Sequence, residues 1–510
     1  MVSWGELQVD QLRYMAREHP DELGYRNLDA DTAITFAEWD GRSNALARGL
    51  VALGVRPGER VSVYLPSGEV LRWIVAYAAI HKAGAAAVPT NVRLSQPELA
   101  AILGHAEVAA VLTDASLLPT AQAVRTRVPS LRAVVSAGGA TGDVVAWEQV
   151  GAGDTADLQV PRDGSDLADV MYTSGTTGLP KGIAVRHGNL AMIPNVEPVW
   201  TGQGWIHGAP MFTFAGIAFI YNPMKMGLVG FYQPRFDAGR WLDYVERERP
   251  SFCMLVPAFA ELIVAHPDFE GRDLSSLQQV SIGSAPLAPQ TQLRLIERLP
   301  HATVGNSYGM TEAGPAYIVM PKDEITKRIG SVGKPVGPME IQIVGDDGAA
   351  APRRAVGELW LRMAGKQREY YRDEAATAAT WTPDGWLRTG DLAYLDEDGF
   401  LYICGREKDM IIRGGNNIYA TDVEAVLLEH PDVQEAAVTG IPHPVLGEDV
   451  AAWVVRRAGS DLDAEQLRAF VADRLADYKR PRELVFVDAL PRNATGKVMK
   501  QQLQVPTASP

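Results

Sequence analysis

Residues 172–182 read YTSGTTGLPKG, with three glycines, one serine, three threonines and one lysine in eleven positions. Backbone N–H groups opened by glycine, hydroxyl donors and one ammonium together suit a polyphosphate. The segment follows residues 168–171, which read as a strand. It is not the usual phosphate loop of nucleotide triphosphatases, because Gly182 follows Lys181 and the glycine spacing differs from GxxxxGK[ST]. Charge narrows the ligand further. With 48 basic and 62 acidic side chains the formal net charge is −14, against a dedicated nucleic-acid binder with a basic face. A small phosphorylated ligand held by a few local groups is untouched by that argument. The two cysteines, Cys253 and Cys404, exclude a disulfide framework and a cysteine-built metal centre, and they fit a reducing cytoplasm.

Four further segments follow in order: 307–312 (SYGMTE), 388–392 (RTGDL), 405–409 (GREKD) and 491–497 (PRNATGK). The five together resemble the signature motifs of the adenylate-forming superfamily of acyl-CoA synthetases, luciferases and peptide-synthetase adenylation domains. The resemblance spans essentially the whole chain and implies a role for each motif. Thr173, Ser174, Gly175, Thr176, Thr177 and Lys181 would hold the β- and γ-phosphates of ATP. Glu312 would bind Mg²⁺, a hard cation suited to carboxylate oxygen. Thr311 would reach the α-phosphate and Tyr308 would stack on adenine, flanked by Gly283, Ser284, Ala285 and Pro286. Asp391, acceptor-only with two oxygens, would take both ribose hydroxyls, with Arg406 beside it. Lys497 would be the adenylation lysine, its cation stabilising charge that builds on the pentavalent phosphorus.

The chemistry so implied has two halves. A carboxylate attacks the α-phosphate of ATP, giving an acyl-adenylate and pyrophosphate; a thiol, that of coenzyme A, then displaces AMP. Lys408 would be the hinge that withdraws Lys497 and brings in residues 410–420, including Gly414 and Gly415, for the thiol step. Two departures from the family pattern stand out. Residues 209–216 (APMFTFAG) carry Thr213 where many relatives have histidine, and no aspartate there could pair with an α-amino group, which lowers the peptide-synthetase reading. Phe212, Thr213, Phe214, Gly216, Gly309 and Met310 are expected to line the acyl pocket, and their apolar or small side chains favour a hydrophobic carboxylic acid. Residues 414–420 read GGNNIYA against the family's GGENIYP, so Asn416 and Ala420 replace an acid and a proline. The alternatives are an adenylating enzyme that loads an acyl carrier protein or a separate transferase, a luciferase-like oxygenase, and an inactive nucleotide-binding protein. The basic residues Lys479, Arg480 and Arg482 could meet an acidic partner or the phosphates of coenzyme A.

These residues need a scaffold, and the sequence supplies a pattern for one. Apolar residues make up 46% and charged residues 22%, ordinary for a folded protein. Capping boxes at 35–38 (TFAE) and 95–98 (SQPE) predict helix starts, and 69–82 reads as an apolar helix. Strands are expected at 60–65, 109–113, 133–136, 251–256, 279–282 and 302–304, and 137–164 reads as a surface connection. The alternation predicts an α/β fold with mixed and parallel sheets over residues 1–407. Residues 408–510 are expected to form a small mobile α+β domain. There 400–404 and 410–412 read as paired strands, 421–424 as a third capping box, 433–440 and 450–456 as strands, and 463–478 as a helix. Residues 1–10 lack a basic region followed by an apolar run; within the uncharged stretch 198–224, the apolar part 209–224 contains two prolines and falls short of the ~20 apolar residues of a membrane span. The expectation is a cytoplasmic protein without integral membrane contact.

Overall fold

The computed structural model describes residues 5, 7–173, 181–191, 193–314, 317–363, 365, 367–492 and 497–504. The first capping box forms: Thr35 Oγ1 accepts the Glu38 N–H and Glu38 Oε2 accepts the Thr35 N–H, both at 3.2 Å, opening the helix Phe36–Ala52. At the second, Glu98 Oε2 accepts the N–H and hydroxyl of Ser95 at 2.8 and 2.7 Å, and the helix Gln96–His105 follows. The helix Val70–Lys82 is buried on nearly every face, as an all-round apolar pattern requires. Its end is tied to Phe36–Ala52 where the Lys82 ammonium donates to Asp40 Oδ1 (2.6 Å) and Asn44 Oδ1 (2.8 Å). Burial pulls that ammonium down to about 8, with Asp40 opposing the fall.

Two sheets rich in parallel pairs enclose these helices. The eight-stranded one runs, in spatial order, Glu369–Tyr370, Lys181–Arg186, Leu167–Thr173, Ala86–Pro89, Arg60–Val63, Val108–Asp114, Ala133–Ala137 and Val145–Ala146. The seven-stranded one runs Thr303–Ser307, Gln279–Gly283, Phe252–Leu255, Gln203–His207, Leu228–Tyr232, Leu23–Asn27 and Thr32–Thr35. Helices Phe36–Ala52, Val70–Lys82 and Phe214–Lys225 share one core with both, including Leu46, Val63, Ile74, Ile80, Ile217 and Tyr232. Each fully buried aliphatic side chain of this kind contributes ~1.5–3 kcal/mol relative to exposure. A third sheet of six antiparallel strands, among them Leu387–Leu395 and Leu401–Arg406, completes the large domain.

The small domain is built on Asn416–Ile418, Ile411–Arg413, Gly447–Arg456, Val433–His443 and Glu483–Phe486, with helices Ala420–Leu428 and Ala464–Ala472 packed on a core of its own. Three expectations are corrected here. The strands expected to pair at 400–404 and 410–412 lie in different sheets: Leu401–Arg406 pairs with Leu387–Leu395, and Ile411–Arg413 pairs with Asn416–Ile418. A single 3₁₀ turn, Glu407–Asp409, separates them. The third capping box does not form. The helix starts at Ala420, because Thr421 Oγ1 donates to Cys404 O and Glu424 Oε1 accepts the Val438 N–H, so both side chains serve tertiary contacts instead. The helix expected to reach 478 stops at Ala472, and a separate 3₁₀ turn follows at Asp477–Lys479.

Candidate active site

Several of the expected site residues lie on or just past strands of the large-domain sheets: Thr173 with Lys181, Gly283, and Asp391 with Arg406. Thr173 and Lys181 face each other across the antiparallel pair Leu167–Thr173 and Lys181–Arg186. Ser174, Gly175, Thr176 and Thr177 lie outside the described residues. Tyr370, which sequence reasoning missed, reaches this pair because Glu369–Tyr370 adds to the sheet opposite Ala184 and Ile183. Lys181 Nζ lies 5.0 Å from the centre of the Tyr370 ring, and the Tyr370 hydroxyl donates to Glu312 Oε1 at 3.3 Å. Burial, with the Glu312 charge behind it, pushes that hydroxyl up to about 12. Lys181 and Glu312 are thus gathered around one aromatic ring.

A second group forms on the antiparallel sheet. Asp391 is opposite Arg406 in register, and Arg406 Nε lies 2.7 Å from Asp391 Oδ1. The Tyr308 hydroxyl donates to the other carboxylate oxygen. Asp391 is 5% exposed; burial raises its pKa, with Arg406, Tyr308 and Lys497 pulling the other way. Burial and Asp391 together push the Tyr308 hydroxyl well above its ordinary range. Lys497 opens onto solvent, yet the protein around its ammonium lowers its pKa, helped by Arg406 and opposed by Asp391 and Glu312. It therefore stands exposed, within the field of both carboxylates and of Arg406.

The acyl side is organised by the start of Phe214–Lys225. Thr213 is its N-cap: Oγ1 accepts the Gly216 N–H at 3.1 Å and donates to Pro210 O at 2.7 Å. At Gly216 a Cβ would stand 2.2 Å from Pro210 O, so only glycine lets the helix approach that loop. Phe212, Thr213 and Phe214 are half-buried, Met310 is half-buried and bridges to Gly314, and Gly309 is exposed. Gly283 ends the strand Gln279–Gly283 beside Ser307. Ser284 follows at φ 75°, a left-handed conformation rare for a side chain other than glycine, and with Ala285 and Pro286 it is exposed.

Arg368 links the two sides and was not anticipated. It is 1% exposed; its guanidinium donates to Thr311 O (2.8 Å) and Asn189 O (2.6 Å) and lies 4.6 Å from the Phe214 ring centre. Burial lowers its pKa to about 10. The visible signal was the arginine–aromatic run 368–372 (REYYR), which has no spacing rule attached to it. Two expected positions stand apart from the nucleotide residues. Lys408 is exposed on the turn Glu407–Asp409. Gly414 and Gly415, at φ 57° and 82°, are the tip of the two-residue hairpin between Ile411–Arg413 and Asn416–Ile418. Two consecutive positive φ values are what such a tight turn demands.

One carboxylate at Glu312 suits a cation that completes its shell with phosphate and water oxygens, as Mg²⁺ does. Among the described residues no cluster of three or more His, Cys, Asp or Glu side chains forms a metal cage. Nor is any helix among them long and apolar enough to cross a membrane.

The chain matches the family model described as AMP-binding enzyme over residues 12–371, and the model for the AMP-binding enzyme C-terminal domain over residues 422–497. It is 35% identical over 96% of both chains to a feruloyl-CoA synthase of Amycolatopsis sp. The solved anthranilate CoA ligase AuaEII, in complex with anthranoyl-AMP, superposes with a TM-score of 0.89 at 26% identity, covering 98% of this chain and 97% of that one. The amide bond synthetase McbA from Marinactinospora thermotolerans does so with a TM-score of 0.83 at 29% identity, covering 97% and 98%. Both family models in their expected order, and relatives matched nearly end to end, make this chain a member of the AMP-binding enzyme family, within the adenylate-forming superfamily and homologous to acid–CoA ligases.

Proposed function

We propose that the protein is an AMP-forming acid–CoA ligase that activates a hydrophobic carboxylic acid, with aromatic acids such as ferulate or anthranilate the first candidates. The observation that carries this reading is the grouping of Asp391 with Arg406 and Tyr308, and of Glu312 with Lys181 around Tyr370, with Lys497 within the field of Asp391, Arg406 and Glu312. Asp391 offers two acceptor oxygens to the ribose, with Tyr308 and Arg406 fixing its orientation. Lys181 and the hydroxyls of the loop before it hold the outer phosphates. Glu312 would hold Mg²⁺, which supplies charge neutralisation at the phosphate oxygens. Lys497 faces the point where two anions meet. There an acid oxygen forms a bond to the α-phosphorus, the bond to the bridging β-oxygen breaks and pyrophosphate leaves. Preorganised charge of this kind is the largest catalytic contribution such a site offers. In the second step the thiolate sulfur of coenzyme A attacks the acyl carbon and AMP leaves with the bonding pair. The chain divides functionally at 407/408 on this reading, with Lys408 the hinge on which the small domain turns to bring Gly414 and Gly415 inward.

The test is acid-dependent pyrophosphate release over a panel of ferulate, anthranilate, indole-3-acetate and octanoate, with and without coenzyme A. Release with at least one acid, and a thioester when coenzyme A is added, is the expected result; no acid-dependent release across the panel would overturn the reading. A second acceptor class has one observation behind it. The GGNNIYA hairpin departs from the family pattern, and an amide bond synthetase is among the chain's structural neighbours. An amide formed from a primary amine, faster than thioester from coenzyme A, would favour that acceptor.

A further inference from the structure

Among the described residues, two charged contacts fasten the base of the segment that carries Lys497 to the small domain: Arg492 with Glu435 on the strand Val433–His443, before Lys497, and Lys500 with Glu424, after it. Lys500 Nζ lies 2.7 Å from Glu424 Oε1, with side chains 21% and 15% exposed. The same carboxylate oxygen accepts the Val438 N–H at 2.8 Å. Glu424 therefore ties together the helix Ala420–Leu428, the strand Val433–His443 and the lysine loop. The base of the loop is closed beside this contact: Arg492 and Val498 form an antiparallel bridge, and Met499 N donates to Pro491 O at 2.8 Å. Lys497 is the first residue outside that bridge, and the 3₁₀ turn Lys500–Gln502 lies on its other side. Leu503, just beyond, packs with Val498 against Trp453 and Leu490.

A half-buried ion pair is a poor way to gain stability, since desolvating both ions offsets most of the attraction. It is a good way to fix direction, because removing either partner leaves the other charge uncompensated. Here the uncompensated charge would be Glu424, which also feels Asp409 at the end of the turn that joins the two domains. The helix of Glu424 is itself attached to that junction through Thr421 Oγ1 and Cys404 O. Junction, helix and lysine loop thus form one connected unit with the carboxylate at its centre.

We propose that Glu424 and Lys500 are positioning residues for adenylation: their ion pair sets the loop base so that Lys497 stands within the field of Asp391 and Glu312. The proposal rests on the assignment of Lys497 as the adenylation lysine. A displacement of ~1 Å at such a group costs about a hundredfold in rate, so a loop left to relax loses adenylation without losing its fold.

The experiment compares Lys500→Met, Lys500→Arg, Glu424→Gln and Lys497→Ala, using the panel acid that releases pyrophosphate fastest. A second assay supplies the synthetic adenylate of that acid and follows thioester formation with coenzyme A, bypassing the first half. Lys500→Met and Glu424→Gln are expected to lower kcat for pyrophosphate release by roughly tenfold to a hundredfold, with KM for ATP within about twofold. Transfer from the synthetic adenylate should stay within about twofold, and Lys500→Arg should recover most of the loss. Glu424→Gln keeps an acceptor for the Val438 N–H, so its effect reads the charge rather than the strand contact. Unchanged kcat in Lys500→Met, or equal loss of both halves, would overturn the proposal. Lys497→Ala separates the two claims. If it retains pyrophosphate release, the assignment of Lys497 fails. If it is inactive while Lys500→Met is normal, only the positioning role fails.

Discussion

Lys497 is a cation held where its charge is costly, and that cost is measurable. The protein around it and Arg406 push its pKa below the ordinary lysine value of 10.5. On the proposed role the ammonium is the working form, so activity is full below its pKa and lost as pH rises through it. In the free enzyme, kcat/KM for pyrophosphate release should therefore show an alkaline limb below pH 10.5. Lys497→Arg stays charged far above that range and should lose the limb while running slower; a limb unchanged in that variant would remove Lys497 from the step. Lys497→Ala should cost about a hundredfold or more in kcat, with ATP binding by calorimetry largely kept. Tyr370 makes a subtler claim. Its hydroxyl bonds Glu312 and its ring underlies Lys181. Tyr370→Phe removes one long hydrogen bond to a charged group, worth about 1 kcal/mol, and should raise KM for magnesium–ATP roughly fivefold with kcat little changed. Lys181, Glu312, Asp391, Arg406 and Lys497 could be proposed from the sequence because each sits in a short run of glycine, hydroxyl and charge in a recognisable order. Tyr370 and Arg368 could not, because their placement follows from a late strand, Glu369–Tyr370, that adds to the edge of a sheet built from residues far earlier in the chain.

Elements explain both what the sequence revealed and where it misled. The capping boxes at 35–38 and 95–98 formed because their side chains have no stronger claim on them. The one at 421–424 did not, because Thr421 and Glu424 are taken by Cys404 and Val438, partners no local pattern can show. Thr213 is the reverse case. Beside its expected place at the acyl pocket, its hydroxyl has a local task that the sequence pattern did not show: it caps Phe214–Lys225. Thr213→Ala should thus lower stability by about 1 kcal/mol, whereas Thr213→Ser should keep it. Thermal midpoints of the two variants decide this. Equal midpoints would mean that the cap contributes nothing to stability. Ala420 in place of proline has a similar local account, since the first helical position tolerates both.

At the scale of the whole molecule, the two domains meet with charge on both sides. Glu261, on the helix Pro257–Val264 of the large domain, is pushed up to about 7 by burial, with Glu435 of the small domain adding to the rise and Arg492 and Arg457 opposing it. The fold thus prefers the neutral acid. That preference contributes stability fully below the ordinary value of 4.5, and the contribution is lost as pH rises toward about 7. Above that pH the carboxylate is ionised in a place that favours the neutral acid. Glu261→Gln keeps the shape and removes the titration. Its unfolding free energy should match the parent near pH 4.5 and exceed it at pH 8, by up to ~3 kcal/mol at ~1.4 kcal/mol per pKa unit, read as a higher unfolding midpoint. The same change should favour the arrangement that places Lys497 within the field of Asp391 and Glu312, so adenylation at pH 8 should gain relative to thioester formation. A midpoint difference that does not vary between pH 4.5 and 8 would mean that Glu261 titrates as an ordinary solvated acid, and that charge at this junction does not bias how the domains sit.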